Sequence, residues 1–240
     1  LLAQAFTLKK KVLGLAHPST LDTSTELAKL YLQDNKTAMV RLLADDYLAG
    51  SYQYLQHVLW GAGETTRVSY LKQEKRRSDT FYSLFNQRKE KDSGEQALSL
   101  SLDRKGLLLQ ISTQIRAVSR SKSDPVLAKL ANTLEERQKQ LNSLTQSGNA
   151  ELTEVEKLHD DINQLQAQLG EKVKQFERSR RRVAPSQVIK ALGKDTAFVD
   201  YIIYKPFPST SKQDDELLAL VVTNNEQNPI TIVSLGAAAR

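Results

Sequence analysis

The residues that could do chemistry in this chain are three histidines, His17, His57 and His159, and three adjacent carboxylate pairs. The pairs are Asp45–Asp46, Asp160–Asp161 and Asp214–Asp215. Imidazole serves as a general base or a metal ligand. Two carboxylates can divide acid and base roles when their surroundings separate their pKa values. None of these residues stands in such a pattern. His17 sits with Pro18 in a turn, and His57 lies in the helical stretch "QYLQHVLW". His159 has Asn163 four residues on, a poor ligand for the metals that imidazole favours. The acidic pairs fall on helices or in a polar loop, where solvation is the expected role. "GAGETT" lacks the lysine of a phosphate-binding loop and follows no strand. The chain has no cysteine, so within it a thiolate nucleophile, a zinc–thiolate site and a disulfide framework are excluded. We expect no catalytic, cofactor-binding or metal-binding residue here, and no cofactor.

Positive charge is the next candidate. The formal net charge is +6, and the excess is local, in "KQEKRR" at 72–77 and "EKVKQFERSRRR" at 171–182. Such patches can attract phosphate backbones, but no base-stacking aromatics are interleaved with them. Arg178–Arg182 precede Pro185, where a helix should end and where the helix dipole favours cations. Solvated helix faces are therefore expected, and no nucleic-acid partner. Hydrophobic residues make up 40% and charged residues 26%, the balance of a folded soluble chain. No window approaches the uninterrupted apolar length of a membrane span, so no membrane partner is expected. In "LLAQAFTLKKK" the lysines follow the apolar residues, the reverse of a signal peptide. The absent cysteines fit a reducing compartment, and the expected location is cytoplasmic. The chain lacks an initiator Met, and "SLGAAAR" follows directly on an apolar run. Both ends read as open, those of a fragment.

The elements that would position these residues are mostly helical, then α/β. Phe6, Val12 and Leu13 recur at helical spacing, Pro18 breaks the run, and Thr20, Asp22 and Thr23 can cap the next helix. That helix holds Leu27, Ala28, Leu30 and Tyr31, "QDN" turns, and "KTAMVRLLADDYL" opens its partner. Two helices flank a Gly61–Gly63 break, and "FYSLFNQRKEKDSGEQ" ends in a polar loop. One continuous stripe is predicted from Leu100 through Leu107, Leu108, Ile111, Ile115 and Val118, with Gly106 a weak point. Leu127, Leu134 and Leu141 then repeat every seven residues with Leu130 and Leu144 beside them, and Val155, Leu158, Ile162, Leu165, Leu169 and Phe176 follow after "TQSGNA". This pattern predicts an antiparallel hairpin with coiled-coil packing and a solvated outer face. A short helix over "APSQVIKALGKD", started by Pro185 or capped by Ser186, should close at Gly193. Three β-rich runs end the chain: "AFVDYIIY" at 197–204, "LLALVVT" at 217–223 and "PITIVSL" at 229–235.

The stretch "VLGLAHPSTLDTSTELAKLYLQDNKTAMVRLL" resembles a tetratricopeptide repeat of the kinesin-light-chain type. Leu13, Gly14, His17, Pro18, Leu27, Ala28 and Tyr31 match its pattern. Asn35 stands where Gly is usual there, and Val40 where Ala is usual. Arrays of this kind need several repeats to be stable, so the rest would lie upstream. Residues 63–240 are similar to the opening of a CHAT domain, the caspase-like module found behind such repeats. The likeness rests on "GETTRVSYL", "LDRKGLLLQ", the two long helices, "VIKALGKDTAFVDYIIYKPF" and "ELLALVVTNNEQNPITIVSLG", in that order. It implies a repeat end at 1–50, a helical linker at 51–95, a helical region with a coiled-coil hairpin at 96–183, and a truncated caspase-like domain at 184–240. It also implies that the repeats bind a protein or peptide, and that the full-length protein is a cysteine endopeptidase acting on a protein substrate. The catalytic His and Cys would lie outside this chain. The three strands would leave sheet edges and an apolar face uncovered. The other reading of the same residues is a non-enzymatic helical adaptor.

Overall fold

The helical periods and the three β-rich runs become eight helices and three strands among the residues that the computed structural model describes, which are 1–88, 90–105, 107, 111, 113, 124–147, 151–176, 182–208, 215–225 and 227–238. In chain order they are α1 (Leu2–Leu13), α2 (Pro18–Gln33), α3 (Thr37–Val58), α4 (Glu64–Arg88), α5 (Lys91–Leu102), α6 (Pro125–Ser147), α7 (Leu152–Phe176), α8 (Pro185–Ala191), β1 (Ala197–Tyr204), β2 (Glu216–Thr223) and β3 (Ile230–Ala237). The chain is mostly helical and ends in a small antiparallel sheet. None of the described helices is long and apolar enough to cross a membrane. Two compact units emerge, each built from separated stretches.

The first unit comprises residues 1–54, 73–105 and 182–240. Pro18 opens α2, where its missing amide hydrogen costs nothing. The cap is His17, not Thr20, Asp22 or Thr23, which lie inside the helix. Its Nδ1 accepts from the Ser19 amide at 3.2 Å. Asn35, in the turn to α3, has φ 56°, in the left-handed region that Gly and Asn enter most easily. Phe6 of α1 is buried, whereas Val12 and Leu13 are exposed. Sequence places a polar loop at 89–95; instead α5 begins at Lys91 and includes Gly94. There β3 comes so close that a Cβ on Gly94 would lie 2.7 Å from the Ile230 carbonyl oxygen.

The sheet runs β1-β2-β3, antiparallel throughout, with Tyr201 opposite Ala219 and Ala219 opposite Val233. Its inner face buries Ile202, Tyr204, Leu218, Leu220, Val222 and Ile230. On the outer face Val199, Tyr201, Ile203 and Val233 are exposed. Among the described residues both edges are unpaired. Helix α8 starts at Pro185 as expected, but it stops at Ala191 with Leu192 extended, and Gly193 does not enter the left-handed region.

The second unit comprises residues 55–72 and 106–181. Asp124 caps α6, its Oδ1 accepting from the Val126 amide at 2.8 Å. Helices α6 and α7 pack as the expected hairpin, burying Leu127, Leu134, Leu158, Ile162 and Leu169. Leu107 and Ile111 are buried as well; Gly106, Leu108, Ile115 and Val118 lie outside the described residues, as does the side chain of Phe176. One outer stripe of α7 is not solvated. Gln166 is buried and accepts from the Glu64 amide at 2.6 Å. One turn on, the space for a Cβ on Gly170 is filled by the Trp60 carbonyl oxygen. The Arg67 guanidinium donates to the Leu59 carbonyl at 2.6 Å, a cation placed just past the end of α3.

Gly94→Ala and Gly170→Ala each force backbone apart, and each is expected to lower stability by about 1–3 kcal/mol. Gly193→Ala, whose new methyl would meet only ordinary contacts, should change it by less than about 0.5 kcal/mol. Urea unfolding of the three variants checks the contrast.

Candidate functional site

The stripe expected to run unbroken from Leu100 past Leu107 stops at Leu102. Residues 103–105 form a turn, and its three consecutive charges each find a separate partner. Asp103 goes to Arg182, Arg104 to Glu74, and Lys105 to Asp200. Leucine spacing favours continuing the helix, but the partners of these three residues lie in other segments and can be reached only if the chain turns.

Glu74 is the centre. Its side chain is 1% exposed. Arg77 donates to Oε1 at 2.5 Å, and Arg104 and Ser51 donate to Oε2 at 2.9 and 2.6 Å. The Tyr47 hydroxyl is 3.3 Å from Oε2. Arg104 also donates to Ser51 Oγ and to the Tyr47 hydroxyl. Arg77 turns its Nε to Asp22 at 2.8 Å. Tyr47 stacks on Phe81 with ring centres 3.9 Å apart. The run "KQEKRR", expected to be a solvated face, therefore hides Glu74 and Arg77 and exposes only its other members. Burial alone would make the Arg77 guanidinium less basic; the hydrogen bonds it donates to Asp22 and Glu74 outweigh this and hold the group above its ordinary pKa. The same opposition, with Tyr47 and Glu74 as partners, leaves Arg104 raised.

The two flanking charges of the turn are as well held. Both Asp103 oxygens accept from Arg182, at 2.9 and 2.5 Å, and Arg182 lies 4.8 Å over the Tyr52 ring. The only described arginine of the run 178–182 is therefore paired with a buried carboxylate rather than left at a solvated helix end; 178–181 lie outside the described residues. Asp200 interrupts the apolar β1 on its inner face. It accepts from Lys105 and, at 2.5 Å, from Ser101. Lys105 also donates to the Tyr201 carbonyl at 2.8 Å.

The described histidines and acidic residues picked out from sequence each have a local place within their own unit. His17 caps α2, and His57 and His159 are exposed on α3 and α7. Asp45 accepts from Gln96, Asp46 pairs with Lys10 at 2.6 Å, and Asp161 lies 3.7 Å from Arg137. Asp214 lies outside the described residues. Among the described residues no group of three His, Cys, Asp or Glu side chains could hold a metal ion. Sequence reading missed Glu74, Asp103, Arg104 and Asp200. The one visible signal was Asp200, a carboxylate at an inward position of a β-branched strand. Chemically, the cluster holds charge in place.

Comparison with family models, with curated proteins and with solved structures finds no match for this chain.

Removing Glu74 would leave two guanidinium groups facing each other without their anion. Glu74→Ala is expected to cost about 3–5 kcal/mol in urea unfolding, while Glu135→Ala, in an exposed ion pair on α6, should leave the midpoint unchanged. Alkali gives a second reading. Burial pushes the Tyr47 and Tyr82 hydroxyls far above the ordinary phenol range, and the Glu74 charge adds to this for Tyr47. An acid whose folded pKa is raised stabilises the fold fully below its unfolded pKa, about 10 here, and loses that contribution as pH rises beyond it. Each such tyrosine should cost about 1.4 kcal/mol per pH unit above pH ~10. Tyr82→Phe should remove one tyrosine's share of the slope, read from urea midpoints between about pH 9 and 11.

Proposed function

We propose that this chain is the recognition and docking part of a repeat-plus-CHAT protein, acting in the cytoplasm. Helices α1 to α3 bind a protein or peptide partner, and β1 to β3 are the opening strands of a caspase-like fold. The full-length protein is a cysteine endopeptidase on this reading, with its His and Cys on strands beyond Arg240. The observation that carries it is the outer face of the sheet, where Val199, Tyr201, Ile203 and Val233 are exposed beside two edges that are unpaired among the described residues. An apolar face of this kind calls for a further layer of helix or sheet. The order of elements supports the same reading: a helical hairpin, a long hairpin, a short helix and then strands.

Reading the gene beyond codon 240 tests this. A His and a Cys, each directly after a short apolar strand, are the expected result, and a Cys→Ala variant of the longer chain should then lose all peptidase activity while keeping its partner. A stop codon, or further strands without that pair, would overturn the peptidase half and leave a non-enzymatic helical adaptor.

A further inference from the structure

Among the described residues of the second unit, the α6–α7 hairpin is open along one side. The N-terminal two turns of α6 and the C-terminal part of α7 enclose a groove of about 680 Å³, and Gly61 forms part of its wall. Its floor is apolar, made by Val126, Leu130 and Ala167. Val126 is 58% exposed there, although Leu127 beside it is 2% exposed. The heptad pattern therefore carries more apolar surface than the hairpin uses. Val126, Leu130 and Thr133 follow one another at helical spacing along the groove, the arrangement into which the ridges of a third helix pack.

The rim is charged. Lys129 on α6 and Lys172 on α7 line the groove and are exposed. Among the described residues neither lysine is in an ion pair. The third charged lining residue is Glu171. Its carboxylate is turned to the Gly61 wall, where a Cβ on Gly61 would lie 2.5 Å from Oε1. The occupant thus meets an apolar floor between two exposed lysines.

We propose that this groove is a docking site for an amphipathic helix of a partner protein, one that lays an apolar stripe on Val126 and Leu130 and sets acidic side chains against Lys129 and Lys172. Helix-in-groove recognition of this kind reads anchors at i, i+3 or i+4, and i+7, and charge complementarity at the rim selects among apolar helices. The site lies on the hairpin, so it stands or falls separately from the peptidase reading and from the α1–α3 surface.

The test uses the whole 240-residue chain and two labelled peptides of about 15 residues, long enough to form helix. Both carry leucines at i, i+3, i+4 and i+7; one is flanked by glutamates and the other by lysines at the same positions. Fluorescence anisotropy should show the glutamate peptide binding about tenfold or more tightly than the lysine peptide. Trp60, the single tryptophan, adjoins the Gly61 wall, and its emission should shift on binding. Lys129→Glu combined with Lys172→Glu should reverse the ranking. Val126→Asp, at a position too exposed to disturb folding, should abolish binding of the glutamate peptide. Failure of both peptides to bind, equal binding of the two, or a ranking that survives the charge reversal would each overturn the proposal. So would a concentration-dependent dimer in sedimentation that Val126→Asp dissolves, because the occupant would then be a second copy of this chain.

Discussion

A single carboxylate that water cannot reach sets the geometry of the first unit. Glu74 is buried between Arg77 and Arg104, and Arg77 continues to Asp22. The chain of charges runs Asp22, Arg77, Glu74, Arg104, two of each sign, so the group as a whole is neutral. Its members come from α2, α4 and the turn after α5, with Ser51 and Tyr47 of α3 joining by hydroxyl. Apolar side chains tolerate a small slide against their neighbours. A buried ion does not, because a displaced partner leaves an uncompensated charge in a medium that solvates it poorly. Four segments are thereby held in one register. The same turn extends the constraint in two further directions, to β1 through Asp200 and to the segment before α8 through Arg182.

Much of this fold was legible in the sequence because it rests on local period. The heptad leucines of 127–144 and the apolar positions of 155–169 need nothing distant to be read as a hairpin. The three β-rich runs name their strands to within a residue or two. What could not be read depends on partners far along the chain. Leu98, Leu100, Leu107 and Ile111 are all buried and keep helical spacing across residues 103–105, so the pattern carries no mark of a break. The break is set by Glu74, Asp200 and Arg182. Likewise "KDSGEQ" has the composition of a loop, yet it is helical, and the need for its glycine shows only once β3 lies beside it, with the Ile230 carbonyl against Gly94. Glu74 stood in a run of cations that reads as solvated, and only its contacts show otherwise.

The candidate site follows the same division. That His159 has only Asn163, a poor partner ligand, four residues on could be read from spacing alone. The cluster that the fold does assemble was hidden, because single charged residues scattered over the chain have no signature until they are folded onto one another. Its chemistry is also limited by its own completeness. Each Glu74 oxygen already accepts from a guanidinium, and Asp103 is gripped by both arms of its arginine. The oxygens of a carboxylate so engaged are turned to fixed donors, whereas a catalytic acid or base needs one turned to its substrate.

The distribution of polarity is what gives the surfaces their meaning. Charges are taken into the interior at Glu74, Arg77, Asp103 and Asp200, while Leu8 and Val12 on α1, Leu42 on α3, and Tyr201 and Ile203 on β1 face outward. Folding of this chain does not require those outward residues. Tyr201 and Ile203 sit on an edge strand with their side chains away from the core, and lysine or threonine there would cost the fold little. Their presence instead raises the hazard of edge-to-edge pairing that exposed apolar strands carry. Contiguous apolar surface of this sort on a protein marks an interaction site. The interior of the first unit is specified by charge, so its exterior can remain apolar at these positions without loss of register.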